Sequence, residues 1–202
     1  MSNLQFDLSQ VRKAYRLLYD YQARILDLVS YCGSKMKFSY NGGISKFSNV
    51  TPRNGKGNLG LWSWDWLNMY FYQFQFKEQM IHGNNLYFSI FLVSDSGYFE
   101  EGSNAEGKID IDDFLSPEKS TTKLLFLVGK NGLKDMWEGW NSKKFVNQDL
   151  SIKEFDGGKM ILKSFQLEDF IDEPTTINTL KQFQALCKNH DILFDIAESK
   201  LH

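Results

Sequence analysis

Residues 150–165, LSIKEFDGGKMILKSF, hold two partly apolar runs on either side of Asp156-Gly157-Gly158. Asp-Gly supplies the backbone freedom a tight hairpin needs, so 150–155 and 159–165 are predicted as neighbouring strands. Parallel strands require a crossover of a dozen residues or more; a three-residue link permits only an antiparallel pair. Two further runs, 86–93 and 122–128, are apolar at nearly every position and are predicted as central strands covered on both faces. Asn41-Gly42-Gly43, between 35–40 and 44–47, reads as another hairpin turn. From Trp62 to Phe76 the even positions are almost all aromatic. Period two predicts a strand over 69–77, with Gln73, Gln75 and Lys77 on its wet face. Its preface WSWDWLN, 62–68, also suits a short helix, because Trp62 and Trp66 are four apart.

Helices frame this sheet. Val11, Ala14, Leu18, Ile25, Leu28 and Cys32 recur at helical spacing, with Asp7 or Ser9 as the cap and an end near Gly33. Such a helix is about 38 Å long and reaches across a whole sheet. Arg12, Lys13, Arg16, Asp20, Arg24 and Asp27 mark its solvated side. A short helix is expected over 133–140. Asp172-Glu173-Pro174 opens a last helix with Ile177, Leu180, Phe183 and Cys187 on one face, proline being favoured in a first turn. The expected class is α+β: a long N-terminal helix and a C-terminal helix packed on a mainly antiparallel sheet of about six strands, as a single domain over 1–202.

Composition agrees with that reading. The chain has 202 residues, 42% hydrophobic and 24% charged, with only 3 Pro, which excludes collagen, coiled-coil and wholly disordered classes. A chain of this size buries about 70% of its unfolded surface. Cys32 and Cys187 are too few for a disulfide scaffold, and no run is long and apolar enough for a leader or a membrane span. A cytoplasmic setting without membrane contact is expected.

Net charge is only -2, yet it is unevenly spread. Residues 1–60 carry nine Lys and Arg against Asp7, Asp20 and Asp27, whereas 95–113 carry seven carboxylates against Lys108 alone. Among the latter, Asp110, Asp112 and Asp113 fail as a calcium loop because Leu115 stands where glycine is needed. Asp95, Glu106 and Lys108 have the residue types of a metal-dependent nuclease or phosphoesterase, two carboxylates for the ion and a lysine beside the attacking water. That reading competes with a plainly solvated acidic loop. Asn54-Gly55-Lys56-Gly57 lacks the outer glycine and the Ser or Thr of a phosphate-binding loop. The basic first third, with Lys46, Arg53 and Lys56 ahead of Trp62 and Trp64, allows a nucleic-acid-binding alternative in which rings stack on bases.

The three histidines, His82, His190 and His202, are far apart, and there is neither a nucleophile elbow nor a Cys-x-x-Cys pair. No catalytic residue, metal ligand or cofactor is assigned. What remains is three tryptophans in five residues, between regions of opposite charge. The expected function is non-enzymatic binding of a macromolecule, a protein partner first of all, in the manner of an inhibitor or immunity-type protein. Trp62, Trp64 and Trp66 are expected as anchors, and Arg53, Lys56, Glu100 and Glu101 as steering charges.

Overall fold

The structure, a computed structural model, describes residues 2–49, 59–100, 109–132 and 143–197. Helix α1 spans Ser2–Lys35 and is followed by β1, Tyr40–Ser45. A 3-10 turn at Ser63–Trp66 leads into β2, Phe71–Phe76, then the short β3, Gln79–Ile81, and β4, Asn84–Val93. A single-turn α2, Gly97–Glu100, and a 3-10 turn at Ile111–Asp113 precede β5, Lys123–Lys130. The short α3, Lys143–Val146, comes next, then the hairpin of β6, Leu150–Phe155, and β7, Gly158–Gln166. A 3-10 turn at Leu167–Phe170 enters α4, Glu173–Lys188. The sheet has seven strands in the order β1-β2-β4-β5-β7-β6, with β3 beside β4. Every pairing among the described strands is antiparallel.

This is the α+β architecture read from the sequence, with a seventh strand because the chain from β2 breaks at Lys77-Glu78 and resumes pairing with β4. The 156–157 turn joins β6 to β7, with Gly157 at φ 75. Asp172 caps α4 through the Thr175 backbone N–H at 2.8 Å, with Pro174 in the first turn.

Alternation along the central strands feeds two cores. Leu124, Phe126 and Val128 of β5 meet Ile25, Val29 and Cys32 of α1 and Leu180, Phe183 and Cys187 of α4. Leu125 and Leu127 point the other way, into a smaller core with Phe71, Phe91, Phe99 and Val146. The long helices thus occupy one face, as expected, while α2, α3 and a group of rings cover the second.

Three expectations fail, each for a physical reason. Asn41-Gly42-Gly43 does not turn the chain: it lies inside β1, where Gly42 at φ 129 hosts a bulge and Gly43 leaves room for the Tyr72 ring. Gln73 is not wet but 1% exposed, its Nε2 donating to Ser89 Oγ at 3.2 Å, because the second face is covered too. Helix α1 starts at Ser2 instead of at Asp7 or Ser9, since nothing in Asn3-Leu4-Gln5-Phe6 breaks a helix. At 1.5 Å per residue it is about 50 Å long; Tyr21 packs against the core, and the helix's fully buried positions begin at Ile25. Every described side chain from Phe6 to Leu17 is exposed except the half-buried Ser9. The helix expected over 133–140 lies outside the described residues.

Candidate functional site

One end of the sheet, formed by the start of β2, the end of β4 and the start of β5, is where α1 leaves the body. Tyr21 donates to Ser94 Oγ at 3.0 Å, Ser94 donates to the Met69 carbonyl at 2.7 Å, and Thr122 donates to the Ser94 carbonyl at 2.9 Å. This chain of hydroxyls fixes α1 to β4 and to the segment entering β2.

The tryptophan turn sits beside that junction. Asp65 holds it: the carboxylate accepts the backbone N–H of Asn49 at 2.7 Å, the Asn49 side-chain amide at 3.1 Å and the backbone N–H of Trp62 at 3.0 Å. Burial opposes the charge, but the bonds from Asn49 and Trp62 outweigh it and hold this carboxyl below the ordinary carboxylate range. A depressed folded-state pKa means the contribution is present above the ordinary value of about 3.9 and is lost as pH falls through the lower folded value. Tryptophan emission from the turn is therefore expected to change on acidification below about pH 4 in the wild type and to stay flat in Asp65→Asn. An equal acid response in both would remove Asp65 from this role.

Behind the turn lies a ring platform. Phe47 is its hub, stacked on Trp62 at 5.6 Å between centroids and edge-on to Trp64 at 5.1 Å and Tyr98 at 5.0 Å. Trp64 meets Tyr70 at 4.7 Å and lies parallel to Phe114 at 5.9 Å. Phe99 of α2 ties the platform to the second core through Phe71, at 5.3 Å. Such offset and edge contacts add about 1 kcal/mol per pair beyond area burial. Burial, then the nearby charge of Asp95, raise the pKa of the Tyr70 hydroxyl, against the opposing effect of the Tyr98 backbone.

The three tryptophans consequently differ. Trp64 is half-buried within the platform, Trp62 is 36% exposed, and Trp66 projects with 65% of its surface free. Leu67, next to it in the chain, is exposed as well. Between the turn and α1 is a cavity of about 110 Å³ lined by Leu18, Gln22, Trp64, Leu67 and Met69. On the other flank of α1, a cleft of about 700 Å³ opens between Leu17, Arg24 and Leu28 on one wall and Leu167, Phe170 and Ile171 on the other.

A family model matches residues 1–193, which include every element from α1 to α4. The chain belongs to the PM0109 family. No curated protein and no solved structure matches it. In this PM0109 family member the match takes in the tryptophan turn, the platform and the whole of α1.

Glu100, the last residue of α2, pairs with Lys123 at 3.6 Å, on the same end of the sheet as the tryptophans. Arg53, Lys56 and Glu101 lie outside the described residues, as do Glu106 and Lys108. Asp95 turns back to accept the Gly97 backbone N–H at 2.8 Å, and Asp110 accepts that of Asp112 at 3.1 Å. Among the described residues, no three His, Cys, Asp or Glu side chains converge to hold an ion. Both cysteines are buried and unpaired; burial pushes the Cys32 thiol up to about 12 and raises that of Cys187, so they pack as small apolar groups. No described helix is long and apolar enough to cross a membrane. At the far end of the sheet a hollow of about 410 Å³ lies among His82, Asn84, Lys130 and Asp191, where Lys130 donates to the Asp191 carbonyl at 3.1 Å.

Sequence reasoning missed Phe47, Tyr98 and Phe114. Phe47 and Phe114 are isolated aromatics and Tyr98 is paired only with Phe99, so only tertiary proximity makes the three a platform.

Proposed function

We propose that this chain is a non-enzymatic protein-binding protein of the inhibitor or immunity type, acting in the cytoplasm through the tryptophan turn. The observation that carries this reading is Trp66, a large indole held outward on a turn that Asp65 and the ring platform immobilise. A pre-ordered aromatic loses little freedom on docking, and exposed Trp with neighbouring apolar side chains is where interfaces concentrate their energy. Trp62 and Leu67 form the surround, and Glu100 supplies charge at the margin.

The test is affinity capture with wild-type and Trp66→Ala baits, followed by binding kinetics with the captured protein. A partner retained by the wild type and lost by a folded Trp66→Ala chain supports the reading; equal retention ends it. With the same partner, Glu100→Lys is expected to lower the association rate several-fold and leave dissociation nearly unchanged, as a marginal charge acts on encounter more than on the docked state. A change confined to dissociation would place Glu100 inside the contact instead.

A further inference from the structure

The stripe that packs α1 on the sheet continues beyond it. Ile25, Val29 and Cys32 follow at spacings of four and three and are buried. Counting back through Gln22, the same alternation runs through Leu18, Tyr15, Val11 and Leu8. There it has no cover: Tyr15 is 69% exposed, Val11 48% and Leu8 47%. An alternation of three and four keeps one seam facing a second helix along its length, which is the spacing of a coiled-coil contact. Arg12, Lys13 and Arg16 lie off this seam.

We propose that the overhanging half of α1 is a homodimerisation arm, pairing antiparallel with the same half of a second copy. Length is the first argument for a second copy. From Ser2 to Leu17 the arm measures about 24 Å, and the body begins at Leu18, whose side chain lines the small cavity with Trp64 and Leu67. With Leu8 level with Val11 of the partner subunit, Ser2 of each copy lands level with Leu17 of the partner subunit. Each arm therefore covers the other from tip to body, and the two bodies sit at opposite ends without overlap. Area is the second argument. Two such arms bury on the order of 1,000 Å² in total, the size at which a specific interface begins. The pairing is isologous, so a single sequence satisfies both sides. A lipid surface fits less well: Phe6 and Leu17 project away from the seam, and the charges of residues 2–20, Asp7 and Asp20 against Arg12, Lys13 and Arg16, nearly cancel.

Sedimentation of the full chain at about 100 μM decides whether the dimer exists. A dimer is expected for the wild type, and Val11→Asp with Tyr15→Asp is expected to raise its dissociation constant at least about 100-fold. Both side chains lie outside the core, so the variant's thermal transition at high dilution should match that of the wild type. A monomeric wild type, or a dimer indifferent to the two substitutions, overturns the proposal. Binding of a monomeric chain to anionic phosphatidylserine vesicles through the arm would replace it with the membrane reading. Spin labels at Gln10→Cys and at Asp27→Cys read the direction, the native cysteines being buried. The antiparallel arrangement places the first pair about 10 Å apart and the second beyond about 40 Å. Equal separations mean parallel arms and overturn it. Trp66→Ala is expected to dimerise normally, so failure of the dimer and failure of the protein-binding reading give different results.

Discussion

Trp66→Ala is expected to weaken the captured partner's binding by roughly 30-fold, about 2 kcal/mol, while leaving the thermal transition where it is in the wild type. Trp64→Ala is expected to behave in the opposite way, although the two residues are two positions apart. Trp64 is half-buried and touches Phe47, Tyr70 and Phe114, so its truncation opens a hole in the platform. That costs about 2 kcal/mol of stability, a lowering of roughly 6 °C in a chain of this size. Partner binding by Trp64→Ala falls only as far as the turn loses its order. Calorimetry of both variants beside binding kinetics separates the two roles. If Trp66→Ala lowers the transition as much as Trp64→Ala does, Trp66 is a packing residue and the docking surface must be sought elsewhere.

The largest loss of stability is expected at Phe126. It is fully buried at the centre of β5, and its ring meets Phe165 and Phe183 at 5.4 Å and Phe88 and Phe170 at 5.7 Å. Phe126→Ala removes those contacts at once and leaves a cavity that four rings cannot collapse to fill. The expected cost is about 4 kcal/mol, a large share of the 5–15 kcal/mol typical of a folded domain. Phe126→Leu, which keeps most of the volume, is expected to cost about 1.5 kcal/mol. Urea unfolding with an unchanged slope and a lowered midpoint gives the measurement. A loss below about 1 kcal/mol for alanine would mean that the two helices do not close on this face as described.

Much of the fold was legible because several signals were local. Asp156-Gly157 required a turn, Asp172 with Pro174 required a helix start, and the largely apolar runs around Ile90 and Phe126 required cover on both sides. The misreadings came from residues whose environment is set by distant parts of the chain. Gln73 alternates with aromatics as a wet residue would, yet α2, α3 and the rings close over its face. Gly42 and Gly43 match a hairpin turn in isolation, but pairing with 72–76 of β2 overrides the local preference and converts them to a bulged strand. The candidate site was legible only as a cluster of tryptophans. Which of them faces outward depends on Phe47 and Phe114, 17 and 50 positions away from Trp64, and no periodicity links them. The arm was hidden differently: its stripe looks identical to a core-facing one, and only the position of the sheet's end shows that half of it is bare.

Among the described strands β1 and β6 end the main path of the sheet, and the three-residue β3, paired with β4 alone, is too short to template a partner. β1 is kinked by its bulge at Gly42, and β6 presents exposed Lys153 and Glu154. The kink at one rim and the charged side chains at the other both disfavour a neighbour zipping onto the backbone, so polymerisation through the sheet edges is opposed at both. Whatever this molecule joins, it joins by its side chains, and concentrated solutions of it should grow discrete assemblies and not fibres.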